Sequence, residues 1–161
     1  MSRTTIDAPA GVPFIDITRE FDAPRDLVWR AWTEPELLKQ WLGPAKYDMD
    51  IESWDVRDGG RWRYVHRGPE GEFGFHGVFH GEPSPDAFVQ TFEFEGAPGH
   101  VSLERLTLEE RNGRTIARTH STFQSVEARD AMIAGGMESG MNEGFDRLDD
   151  LLARLTPAAV H

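Results

Sequence analysis

Cysteine is absent from the 161 residues, which excludes disulfides, thiolate zinc sites, iron–sulfur clusters and a cysteine nucleophile. Basic residues are scarce: 17 Lys and Arg stand against 28 Asp and Glu, a net charge of −11. Nucleic-acid binders need a basic footprint and anionic membranes attract polybasic segments, so neither partner is expected. No apolar run approaches the roughly 18 residues of a membrane-spanning helix, so no membrane insertion is expected. Met1 to Val12 carries one Arg and no apolar core, unlike a signal peptide. Together with the missing cysteines, this fits a cytoplasmic protein.

The length suits one domain. Residues 1–12 read as a flexible arm, 13–156 as the domain and 157–161 as a tail. Within Phe14–Phe21, Ile15, Ile17, Arg19 and Phe21 alternate with polar residues, as in a half-buried strand. Pro24 opens a short helix, and Thr33 with Glu36 resembles a capping box for a second, which Gly43-Pro44 stops. From Tyr47 to Phe123 strand patterns alternate with turn signals, the sharpest being Asn112-Gly113. Trp62, Tyr64 and His66 share one face, as do Phe73, Phe75 and Phe79, and Phe88, Gln90, Phe92 and Phe94. Ser125–Leu155 carries one apolar stripe through Met137, Met141, Phe145, Leu148, Leu152 and Leu155. Its other face, with Glu138, Glu143, Arg147, Asp150 and Arg154, reads as solvated. Gly135, Gly136, Gly140 and Gly144 weaken that helix and imply either a close backbone approach or room for a ligand. The predicted class is α+β: a curved antiparallel sheet of about seven strands, two short helices after the first strand, and a long C-terminal helix.

Several stretches carry a family resemblance. They are Arg19–Pro24 running into Val28-Trp29, Trp41–Pro44, Asp58–Tyr64, His76–Phe79, Gln90–Phe94 and the helix from Met137 to Leu152. In this order the chain resembles the SRPBCC superfamily of START-like and birch-pollen-allergen-like helix-grip domains. It is most similar to the bacterial branch named after the activator of heat-shock protein 90 ATPase. The resemblance covers about residues 14–155 and implies a pocket between sheet and long helix, but no single reaction.

The aromatic residues point to a pocket lining. Trp41 would close the cavity mouth, Trp62, Tyr64 and Phe75 would line its wall, and Met137, Met141 and Phe145 would face them. Tyr64, Glu104, Arg118 and His120 lie in mid-strand, where an inward side chain would bind a ligand or transfer a proton. Strand register decides which of them turn inward, and the pattern does not fix it. His76 and His80 are too far apart along a strand for one metal. A cross-strand set of His76, Glu104 and His120 is geometrically open but unsupported by any ligand spacing, so no metal and no cofactor are expected.

The favoured function is binding of a small hydrophobic or amphipathic molecule. Two alternatives stay open: a cofactor-independent cyclase or isomerase acting on a polyketide-like substrate, and a co-chaperone-like stimulator of a heat-shock-protein ATPase. A homodimer is compatible with the exposed edges of such a sheet.

Overall fold

Alternating apolar and polar residues build most of the molecule, because the two faces of a sheet take successive side chains. The computed structural model describes residues 4–43 and 45–156. The strands are β1 (Thr4–Asp7), β2 (Phe14–Phe21), β3 (Asp48–Trp54), β4 (Arg61–Gly68), β5 (Gly71–Ser84), β6 (Ala87–Phe94), β7 (Val101–Arg111) and β8 (Arg114–Thr122). The helices are α1 (Arg25–Thr33), α2 (Pro35–Leu38), α3 (Val126–Ala134) and α4 (Met137–Leu155). The strands form one antiparallel sheet in the order β1-β2-β8-β7-β6-β5-β4-β3, with α4 packed across its inner face. This is the α+β helix-grip arrangement.

Three details differ from the sequence reading. The sheet has eight strands, because part of the expected N-terminal arm pairs with β2, from Thr4 opposite Arg19 to Asp7 opposite Asp16. Thr4, Thr5 and Ile6 are β-branched, and Ile6 packs on the core. The capping box does not form: the Thr33 hydroxyl donates to the Trp29 carbonyl, and Glu34 caps α2 without a side-chain bond. The expected long helix is two helices. Ser125 caps α3 by accepting from the Ala128 N–H at 3.0 Å, and Gly136, at φ +86°, breaks the run before α4. Residues 157–161 and Pro44 lie outside the described residues.

Asn112 and Gly113 both take positive φ, 53° and 77°, and join β7 to β8 with Arg111 opposite Arg114. That two-residue connection fixes the register of the central hairpin.

The core divides unevenly along α4. Its C-terminal half inserts Leu148, Leu151 and Leu152, each at most 2% exposed, among Phe21, Val28 and Ala31. Each side chain buried this fully contributes roughly 1.5–3 kcal/mol. Its N-terminal half carries Met137, Gly140, Met141 and Gly144, which fill less volume. Gly144 answers one question raised by the glycines. A β-carbon there would stand 3.0 Å from the Trp41 carbonyl oxygen, so this position serves close backbone approach.

Arg19 anchors α4 to the sheet. Its guanidinium, 4% exposed, donates to Asp149 at 2.6 Å, Asp146 at 3.1 Å and the Thr4 hydroxyl at 2.8 Å. It also lies 5.6 Å from the ring centres of Phe21 and Phe145. Replacing it strands two carboxylates, of which Asp149 is the more enclosed. Arg19→Met is expected to destabilise the protein by about 1.5 kcal/mol in urea unfolding, through the lost hydrogen bonds to charged groups, since Asp146 and Asp149 both keep access to water. A loss below roughly 0.5 kcal/mol, the scale of a surface substitution, would contradict the anchor.

Candidate functional site

The sheet curves away from the N-terminal half of α4 and leaves a chamber of about 530 Å³. Antiparallel pairing brings one end of every contributing strand to it: His66 on β4, Phe73 and Phe75 on β5, Phe92 and Phe94 on β6, Ser102 and Glu104 on β7, and Thr119 and Ser121 on β8. Helix α4 closes it with Met137, Met141 and Phe145, and α3 contributes Met132. The loop after α2 forms part of the rim and is clasped from α4. The Arg147 guanidinium donates to the carbonyls of Gly43 and Gln40, and the Glu143 carboxylate accepts from the Ala45 N–H. These two residues of the face read as solvated therefore hold the rim in place.

Eight of the ten residues singled out from the sequence line this chamber: Trp41, Trp62, Tyr64, Phe75, Glu104, Met137, Met141 and Phe145. Trp62 and Tyr64 stack at 5.3 Å and Phe75 lies 5.2 Å from Tyr64, giving a continuous aromatic wall. Trp41 has a different position from the one expected. It is 1% exposed, with its indole N–H bonded to the Ala31 carbonyl at 2.9 Å and its ring 4.8 Å from Trp32. It is part of the inner wall rather than a stopper at the mouth.

Arg118 and His120 do not reach the chamber. Thr115, Ala117, Thr119 and Ser121 form the inward face of β8, so the intervening residues point outward. There Arg118 pairs with Glu109 at 2.9 Å, and His120 Nδ1 lies 2.6 Å from Asp16. The trio of His76, Glu104 and His120 does not assemble either, because Glu104 is inside while His76 lies across the sheet from it, beside Glu93 and Glu95.

Three polar residues that were not singled out shape the site's chemistry, beside Ser102 and Thr119, which also line it. Gln90 and Ser121 flank Glu104 in register on neighbouring strands. Gln90 Nε2 donates to Glu104 Oε1 at 2.9 Å, and the Ser121 hydroxyl lies 3.5 Å from Oε2. Burial pushes the Glu104 carboxyl above its ordinary range. Burial also raises the Tyr64 phenol, with the nearby Glu104 charge adding to it. The third is His66, 7% exposed, stacked on Tyr47 at 6.0 Å and tilted against Tyr64 at 5.1 Å, with no partner for Nε2 among the described residues. Burial and then the Arg147 charge lower its pKa to about 4, so at neutral pH it is an uncharged part of the wall. The chamber is thus mainly aromatic and aliphatic, with one carboxyl and no lysine or arginine lining it among the described residues.

No described helix is long and apolar enough to cross a membrane. The family model for Activator of Hsp90 ATPase homolog 1-like protein matches residues 22–153. The fold is similar to the solution structure of a protein from Arthrobacter aurescens, 30% identical, with a TM-score of 0.85 over 98% of this chain and 95% of that one. A protein from Rhodobacter sphaeroides is 29% identical, with a TM-score of 0.86 over 94% and 99% of the two chains. Protein Ms6760 from Mycobacterium smegmatis is 25% identical, with a TM-score of 0.83 over 99% and 100%. None of the curated proteins matches the chain.

His66 makes stability depend on pH. Its folded pKa of about 4 lies below the ordinary 6.5, so the unfolded chain binds the extra proton between these values. Stability is therefore complete above pH 6.5 and falls as the pH drops towards 4. The histidine's contribution amounts to a loss of about 2 kcal/mol between pH 7.5 and pH 5. His66→Phe removes that loss while leaving the opposite contribution of Glu104 in place. Urea unfolding of both proteins at the two pH values should show the variant losing less by this amount; equal losses would contradict a buried neutral His66.

Proposed function

The chain belongs to the Activator of Hsp90 ATPase homolog 1-like family of the SRPBCC superfamily, and from that premise we propose that it binds a small hydrophobic or amphipathic molecule in the chamber under α4. The observation that carries this reading is the chamber itself. A space of about 530 Å³ walled by Trp62, Tyr64, Phe75 and Phe92 falls within the range of small-molecule sites. A purely structural core would close it, since packing defects of this size are costly. Met137 and Met141 supply flexible thioethers on the opposite wall, suited to ligands of varied shape.

Tyr64 and Glu104 share the chamber, which favours a second reading in which Glu104 moves a proton on the bound molecule. In that case the protein would catalyse Glu104-dependent exchange of deuterium from solvent into an enolisable aryl ketone. No exchange above buffer would remove the enzymatic reading and leave the binding one.

The uncharged dye N-phenyl-1-naphthylamine tests the binding reading. At a free concentration about 100 times its Kd, a bound ligand stabilises the fold by about 2.7 kcal/mol. For a protein of this size that corresponds to a Tm increase of roughly 5–10 °C. Thr119→Phe places a ring in the chamber from β8 and should abolish both dye fluorescence and the Tm increase while the protein stays folded. No increase with the native protein, or an equal one with Thr119→Phe, would overturn the proposal.

A further inference from the structure

Glu104 brings a carboxyl into the chamber without a cation to match the charge it carries when ionised. Among the described residues its partners are Gln90 and Ser121, both neutral, and no arginine or lysine lines the space. Two buried cations lie elsewhere, and both are committed. Arg19 is held by Asp146 and Asp149, and Arg129 by Asp130 and the carbonyls of Pro9 and Phe14.

The hydrogen-bond inventory has a sign as well. Gln90 turns Nε2 to Glu104, the orientation that an ionised carboxylate, which only accepts, requires. That orientation leaves Gln90 Oε1 buried with no donor. Glu104 Oε1 is engaged at 2.9 Å, whereas Oε2 has only the 3.5 Å contact with Ser121. On directly paired residues of β6 and β7, Gln90 Oε1 thus lacks a donor and Glu104 Oε2 has only one long contact. An ammonium group, with three N–H donors and a positive charge, satisfies both, which a carboxylate or a carbonyl does not. The surrounding rings act in the same direction, since aromatic faces attract cations. Trp62 on β4 and Phe92 on β6 lie 5.8 Å apart across β5 on the inner face and supply such rings.

We propose that the chamber selects a ring-bearing apolar molecule carrying a protonated amine, with the ammonium group on Glu104 and Gln90 and the rings against Trp62, Tyr64 and Phe92. This rests on the binding function proposed above and names the chemical class of its ligand. It also predicts rejection of apolar carboxylates, because an anion would meet an unmatched carboxylate in a water-poor space.

Three probes with one ring system separate the terms: 1-pyrenemethylamine, 1-pyrenemethanol and 1-pyrenecarboxylate, titrated at pH 7.5 and followed by pyrene fluorescence. The amine is expected to bind at least tenfold more tightly than the alcohol, and the carboxylate more weakly than both. Glu104→Gln should bring the amine to within about threefold of the alcohol. Gln90→Leu, which removes the second acceptor, should reduce the amine's advantage over the alcohol, and guards against misfolding of the first variant. A carboxylate that binds as tightly as the amine, or an amine advantage unchanged in both variants, overturns this inference and leaves the chamber function standing. If none of the three probes binds, the chamber function falls and this inference falls with it.

Discussion

A single helix must cover the inner face of an eight-stranded sheet, and that mismatch of widths governs the structure. Strands spaced about 4.8 Å apart make such a sheet roughly 34 Å across before curvature, whereas a helix with its side chains is only about 10–12 Å wide. Curvature brings the sheet towards the helix, and α1 and α2 fill the space beside its C-terminal half. Along that half Leu148, Leu151 and Leu152 complete a dry core. Along the other half the helix presents methionines and glycines, and the space remains. The chamber is therefore the part of the covering problem that the sequence leaves unsolved.

The Arg19 anchor determines where that space lies. Arg19 projects from β2 on the inner face, and Asp146 and Asp149 stand one turn apart on α4, so the guanidinium fixes both the helix position and its rotation. With the rotation fixed, Phe145 meets Phe21 edge to face at 5.6 Å, and Met141, one turn earlier, faces the aromatic wall. Gly144 then lets the backbone after α2 approach the helix, and Glu143 and Arg147 clasp the same loop from either side. One buried cation, one glycine and two flanking charges thus set the rim.

What could be read beforehand depended on contrast between the faces of each strand. Trp62, Tyr64 and His66 alternate with Arg63 and Val65, and Phe88, Phe92 and Phe94 with smaller or charged residues, so their inward direction was legible. In β8 the contrast fails. Its inward residues are Thr115, Ala117, Thr119 and Ser121, while its one large apolar residue, Ile116, lies on the opposite face with Arg118 and His120. Thr119 and Ser121 border the cavity, whereas Thr115 is fully buried with its hydroxyl donating to the Ala23 carbonyl. Gln90 was visible as the one amide in an aromatic row, but its meaning depended on Glu104 standing opposite, which is a matter of register. The break at Gly136 falls just ahead of Met137, where the apolar stripe begins, so the stripe did not reveal it. Arg19 lay in plain sight within the strand pattern; its partners are 127 and 130 residues away, and only the fold unites them.

The placement of Glu104 bears on what the chamber is for. Enclosing a carboxyl among rings is unfavourable unless it is paired and hydrogen-bonded, and its upward pKa shift reflects that cost. For a ligand that is apolar throughout, a leucine at this position would serve better, adding contact and removing the desolvation term. Gln90 and Ser121 satisfy part of the carboxylate's capacity, so the group is supported by its neighbours rather than merely tolerated, yet its charge stays unmatched. The same holds for the free carbonyl of Gln90, which an apolar guest would bury without compensation. Both deficits have the same sign, lie on paired residues and open on the same cavity. A guest that donates hydrogen bonds and carries positive charge removes them together, so the row from Gln90 through Glu104 to Ser121 gains in the complex what it lacks in the empty protein.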